Sequence, residues 1–106
     1  MARRWTLEAA EAMLGEVWQR TEQAATAVDV LEARANSASA EERAALAEET
    51  RGHVSRWVRE MEALGVDIQG AWSVEFRFEE GAFCWVWPEA RLTFRSQDAA
   101  EATPIQ

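Results

Sequence analysis

The sequence predicts an α+β fold, a long antiparallel helical hairpin followed by a three-stranded antiparallel β-meander. Two changes of pattern carry this. Apolar residues recur at spacings of three and four from Leu7 to Ala35 and again from Ala40 to Leu64, the spacing of a buried helical face. Between residues 72 and 95 the spacing drops to two, in a block that holds three of the six tryptophans and all four phenylalanines. At 106 residues the chain suits one domain, divided as 5–35 helix, 39–64 helix, 71–95 meander and 96–106 irregular tail.

Composition narrows the function classes. With 48% hydrophobic and 28% charged residues, the chain has the balance of a globular protein. Its net charge of -8 repels polyanions, and the eleven basic residues, all arginine, are scattered. No nucleic-acid partner is therefore expected. The opening Met-Ala-Arg-Arg-Trp leads into Glu8 and Glu11 rather than an apolar run, which is unlike a signal peptide. No membrane partner and a cytoplasmic location are expected. A single cysteine, Cys84, leaves no intrachain disulfide.

Thr6 is placed to cap the first helix, with Glu8 near its positive end. Leu7, Ala10, Leu14, Val17, Thr21, Ala24, Val28, Leu31 and Ala35 then mark one seam, roughly 45 Å long at 1.5 Å per residue. Gly15 is its weak point, costing about 1 kcal/mol unless it allows a close backbone contact. Asn36-Ser37-Ala38-Ser39 breaks the helix, and Ser39 with Glu42 forms a capping-box pattern for the second. Its seam is Ala40, Ala47, Thr50, Val54, Trp57, Met61 and Leu64, and Gly65 supplies the left-handed cap. So short a connection folds the helices back on each other, with Trp57, Met61 and Leu14 at the end where a sheet docks.

Val66-Asp67-Ile68 is either a brief edge strand or an extended linker. In the meander, Trp72, Val74, Phe76 and Phe78 alternate with Ser73, Glu75, Arg77 and Glu79. A two-residue loop at Glu80-Gly81 pairs Phe78 with Phe83, Phe76 with Trp85 and Val74 with Trp87. A turn through Pro88-Glu89-Ala90-Arg91 then sets Leu92 against Trp87 and Phe94 against Trp85. The aromatic face so formed needs covering by the helices.

Several of these motifs occur together in a known family. Trp5-Thr6-Leu7-Glu8-Ala9-Ala10, Met13-Leu14-Gly15, Leu64-Gly65-Val66 and Phe83-Cys84-Trp85 resemble, in order and spacing, the bacterial Domain of Unknown Function 2203 family. Its patterns F-T-L-E-E-A, A-L-L-P, L-G-V and L-C-W match these segments, and its G-L-V-D-F segment resembles Gly70-Ala71-Trp72-Ser73-Val74-Glu75-Phe76. Its G-E pair falls on Pro88-Glu89. Its W-H falls on Arg95-Ser96, so the histidine is absent, and its C-terminal glycine and arginine have no counterpart between Asp98 and Gln106. The resemblance implies a fold and leaves activity open.

No Gly-rich phosphate loop, Ser-His-Asp order or C-x-x-C appears, so no catalytic residue, cofactor or metal is assigned. The register above puts Cys84 on the outward face with Arg77 and Arg95 opposite it, a row suited to an anion or to a stabilised thiolate. The arginines can instead pair with Glu75 and Glu79, leaving Cys84 an ordinary thiol. His53, with Glu49 and Glu60, has the spacing of a weak two-ligand site but reads more simply as a solvated helix face. Glu41, Glu42, Glu48 and Glu49 read likewise. Off the first seam, Met13, Trp18, Ala25 and Val30 suggest a second apolar surface, suited to a homodimer. The expected function is a non-enzymatic interaction or scaffold module, self-associating through its hairpin. A small anionic-ligand-binding protein or thiol enzyme using Arg77, Cys84 and Arg95 is the alternative.

Overall fold

A computed structural model describes residues 4–97 and 103–105. Helix α1 spans Leu7–Ala35 and α2 spans Ala40–Leu64. The Thr6 hydroxyl accepts the Ala9 amide at 3.0 Å, closing the first turn of α1. Ser39 and Glu42 form the reciprocal box at the start of α2, and these hydrogen bonds from Ser39 hold the Glu42 carboxyl below its ordinary range. Gly65 ends α2 at φ 85°, the left-handed cap that glycine adopts without a Cβ clash. A Cβ at Gly15 would meet nothing within 4 Å, so no close contact accounts for that glycine.

The hairpin packs unevenly along its length. Helix α1 buries Ala10, Val17, Thr21, Ala24, Ala25, Val28 and Leu31, close to the seam its spacing predicts. Helix α2 fully buries Trp57 and Met61, both in its last third. Ala40 and Ala47 are exposed, although they share the seam spacing. In this stretch α2 offers only half-buried side chains, Leu46, Thr50, His53 and Val54, and its full burial concentrates at the large Trp57 and Met61. The molecule is accordingly elongated, 49 Å by 25 Å by 23 Å. Among the described residues, no helix is long and apolar enough to cross a membrane.

The sheet has five antiparallel strands in sequential order rather than three: β1 (Asp67–Gly70), β2 (Ser73–Phe78), β3 (Gly81–Val86), β4 (Thr93–Ser96) and β5 (Thr103–Pro104). The segment after Val66 is thus an edge strand, irregular between Ile68 and Gly70. Part of the expected tail is the other edge, with Thr103 opposite Phe94 and Pro104 opposite Thr93. Proline is tolerated there because an edge strand need not donate from both sides. Residues 98–102 of the tail lie outside the described residues.

The central hairpin is shifted by two residues from the expected register. Phe76 faces Phe83, Val74 faces Trp85 and Phe78 faces Gly81, so the loop is Glu79-Glu80 and not Glu80-Gly81. The next pair shifts likewise, with Phe94 against Phe83. Gly81 permits the β3–β4 pairing: a Cβ there would collide with the Arg95 carbonyl oxygen and the Ser96 Cα. This glycine serves a close approach of two strands and not a turn. Trp72 also leaves its expected place on the strand face. It lies in the β1–β2 turn at φ 59°, a left-handed conformation costly for a large residue.

The helices cover one sheet face, where Val74, Phe76, Trp85 and Leu92 are buried with Trp5, Val17, Trp57 and Met61. Trp5 stands edge-on to Phe76 at 5.0 Å, Trp57 edge-on to Trp72 at 5.0 Å, and Trp18 meets Trp87 at 4.9 Å. Trp72 therefore offsets its backbone cost by closing the far side of Trp57. Burying Trp57 requires a partner for its indole N–H, and Thr21 supplies it. Trp57 Nε1 donates to Thr21 Oγ1 at 2.8 Å, and that hydroxyl donates to the Val17 carbonyl at 2.7 Å. We expect Thr21→Val to lower stability by about 1–3 kcal/mol, because it strands a buried donor. Thr21→Ser, which keeps the hydroxyl, loses less, as urea unfolding of the three proteins reads directly.

Candidate functional site

The second face of the sheet carries no helix. Period two directs Ser73, Glu75 and Arg77 of β2 to it, together with Ala82, Cys84 and Val86 of β3 and Thr93 and Arg95 of β4. The two-residue shift keeps every residue on its expected face but changes its neighbours. Arg77 and Arg95 flank Ala82, not Cys84. Cys84 lies between Glu75 and Thr93, and Asp67 extends that row on β1. The expected Arg77, Cys84 and Arg95 row is thus replaced by two rows, one centred on Ala82 and the other on the Glu75 and Cys84 pair.

Glu75 dominates this face, because it is a carboxylate only 2% exposed. A charge so placed needs compensation from its neighbours. Arg95 supplies most of it, its Nη2 donating to Glu75 Oε2. Arg77 Nε stands 3.5 Å from Oε1 and 4.0 Å from Asp67 Oδ2, with its side chain 58% exposed. Yet Glu75 Oε1 is buried and accepts no hydrogen bond. Two long arginine side chains laid over the sheet also explain why Ala82, on the face without helices, is 1% exposed. Sequence reading allowed Glu75 to pair with the arginines but not its burial. The available signal was its position between Val74 and Phe76 in a strand whose alternate residues are apolar.

Cys84 has the environment of an ordinary thiol rather than a stabilised thiolate. Its single S–H has two acceptors within reach, Glu75 Oε2 at 3.7 Å and the Ala82 carbonyl oxygen at 3.9 Å. Burial, opposed in part by Arg95 and reinforced by the Glu75 charge, pushes its pKa up. The same contacts, with Glu75 first and Cys84 second, raise the pKa of Arg95. That keeps Arg95 cationic at any working pH.

Between Arg77 and Arg95 lies an open cleft of about 240 Å³, lined also by Phe78, Glu79, Gly81, Ala82 and Gln97. Ala82 lies between the two arginines that line it, and both of their side chains reach sideways to Glu75. Gln97 is held in place by its backbone amide, which donates to the Glu80 carbonyl at 2.8 Å. The Arg77 carbonyl accepts the Trp5 amide at 2.9 Å, tying this strand end to the start of the chain. Glu79, at the rim, is 3.8 Å from Arg4.

The remaining predicted residues fall elsewhere. Met13 and Trp18 pack on the core, Trp18 against Trp87, and Ala25 is buried between the helices. Their burial comes from this chain itself, whereas Val30 remains 49% exposed. His53 Nδ1 lies 3.2 Å from Arg56, while Glu60 turns to Arg20 at 2.8 Å, so these two do not converge. Glu48 pairs with Arg51 at 2.6 Å on the exposed face of α2. Among the described residues, no group of three or more His, Cys, Asp or Glu side chains gathers to hold a metal ion.

The raised pKa sets the sign of the pH response at Cys84. Below its pKa the thiol holds its proton, so alkylation of the folded protein is slow at pH 7.5. Its rate climbs at higher pH than for an unfolded cysteine of pKa about 8.5. We expect iodoacetamide to react more slowly with native than with urea-unfolded protein at pH 7.5, the ratio shrinking as pH rises. A native rate equal to or above the unfolded one contradicts the assignment.

Comparison with curated proteins and with solved structures finds no match. The family whose sequence pattern does match is described as an uncharacterized conserved protein, and the match runs over residues 3–100. The likeness noted in the opening, L-G-V and L-C-W motifs therefore extends along nearly the whole chain, which belongs to the DUF2203 family.

Proposed function

We propose that this chain is a small-oxyanion-binding protein, with the cleft between Arg77 and Arg95 as its site. One observation carries the reading: two arginines, Arg77 of β2 and Arg95 of β4, flank a small residue, Ala82, and line an open cleft. Arginine suits oxyanions because its planar fork donates two parallel hydrogen bonds. Arg95 uses one nitrogen on Glu75 and keeps further N–H groups for a ligand. Arg77 touches its carboxylate neighbours without hydrogen bonding to Glu75 Oε1, and is free to turn. A thiol-based reaction is disfavoured, because Arg95 is engaged by Glu75 while burial and the Glu75 charge raise the Cys84 pKa.

The test is calorimetric titration of the whole chain with inorganic phosphate, sulfate and citrate at low ionic strength. At least one should bind, and Arg77→Ala should weaken it roughly tenfold or more, the loss of one charge-assisted contact. Its melting temperature should hardly change, because the Arg77 side chain is mostly exposed. Absence of heat with all three anions overturns the reading.

A second reading, a self-associating interaction module, has its own support. Residues 40–56 of α2 contribute no fully buried side chain, so this part of the hairpin projects as an arm with Val30 of α1 exposed. Long helical arms associate in pairs when such faces meet. Light scattering at micromolar concentration should then give about twice the 12.0 kDa chain mass. Val30→Glu should return it to the monomer value, and a wild-type mass near that of one chain removes this reading.

A further inference from the structure

We infer that the cleft selects an oxyanion carrying its own hydroxyl, inorganic phosphate rather than sulfate or a phosphate ester, through an O–H donated to Glu75 Oε1. This rests on the oxyanion-binding reading above and adds the identity of the ligand. The observation behind it is the unequal state of the two Glu75 oxygens. Oε2 accepts from Arg95 and from Cys84, whereas the equally buried Oε1 accepts from neither and has Arg77 Nε at 3.5 Å. A buried acceptor without a donor carries the full penalty of its desolvation, and a ligand that supplies a donor relieves it.

The nearest groups do not supply one. Arg77 covers Oε1 and is more than half exposed, so it can swing onto a bound anion and uncover that oxygen. Asp67, 4.0 Å from Arg77, can only accept, and Cys84 already points its thiol at Oε2. Glu75 does not line the cleft while Arg77 lies against it, so an anion that draws Arg77 across meets the Glu75 carboxylate once that oxygen is uncovered. Were all the anion's oxygens unprotonated, two acceptors would face each other with like charge. An anion with one O–H instead pairs with Oε1 while its ionised oxygens take Arg77 and Arg95. A site built around such a hydrogen bond rejects the analogue lacking it.

Three probes of equal charge separate the possibilities at pH 8. Inorganic phosphate is then mainly a dianion with one hydroxyl, sulfate is a dianion with none, and methyl phosphate has lost its hydroxyl, its second pKa lying near ~6. Calorimetry of the intact chain in a low-salt amine buffer should show phosphate binding about ten- to a hundredfold tighter than either competitor. Glu75→Gln, whose carboxamide can donate, should bring sulfate to within a few fold of phosphate. Glu79→Gln at the rim should leave the wild-type ratio intact. Equal affinity of wild type for the three dianions overturns the inference but leaves the oxyanion site standing. A preference kept in Glu75→Gln overturns the assignment to Glu75. If Glu75→Gln does not fold by circular dichroism, the wild-type ratio and Glu79→Gln still decide, since a ratio lost in Glu79→Gln moves the acceptor to the rim. No binding of any probe overturns the site itself.

Discussion

Gly81 sits where β3 and β4 approach too closely for any side chain, its missing Cβ taken by the Arg95 carbonyl and the Ser96 Cα. That contact fits Gly81 opposite Ser96 in the β3–β4 ladder, and in the β2–β3 ladder the same residue faces Phe78. The consequences run to both faces. Toward the helices, Phe83 comes between Phe76 and Phe94, so that the rings of Phe78, Phe83 and Phe94 cluster. Toward the open side, Ala82 comes between the two arginines and Cys84 beside Glu75.

The two faces are held by different forces. On the helix side, apolar burial dominates, and the buried indole N–H groups find acceptors, that of Trp57 at Thr21 and that of Trp85 at the Glu89 carbonyl. The other side holds a desolvated carboxylate from β2 tied to a guanidinium on β4 across β3. Such a pair is costly to remove from water and costly to break. It stitches three strands on the side that no helix supports, and one of its oxygens is left without a donor. The candidate site is thus also a structural cross-link.

Helical packing leaves a complementary division of labour. Trp5, Trp57 and Met61 close over the sheet at one end, with Trp5 Nε1 donating to the Gly65 carbonyl and so joining the start of the chain to the end of α2. Further along, α2 has no fully buried side chain before Trp57, and the hairpin rests on the small and aliphatic seam of α1. The end that buries the large aromatic side chains also carries the charged cleft. Cys84, the residue with the most obvious chemistry, is held neutral by burial and by its carboxylate neighbour.

Elements whose signals are local were legible in the sequence. The two helices, the Thr6 cap, the Ser39 and Glu42 box and the Gly65 cap depend on residues within a few positions of one another. The faces of β2 and β3 were legible too, because side chains alternate with period two whatever the partner. Register was not, since a shift by two residues preserves both faces and exchanges every neighbour. The edge strands β1 and β5 depend on pairing partners as much as on their own few residues. The turn conformation of Trp72 depends on Trp57. The sequence by itself determined an α+β chain with an aromatic inner face and an outer face bearing Arg77, Cys84 and Arg95. Only tertiary structure decided that the arginines flank Ala82 and that Glu75 is buried between them, because which residues meet depends on how the strands pair, including the close approach of Gly81 to β4.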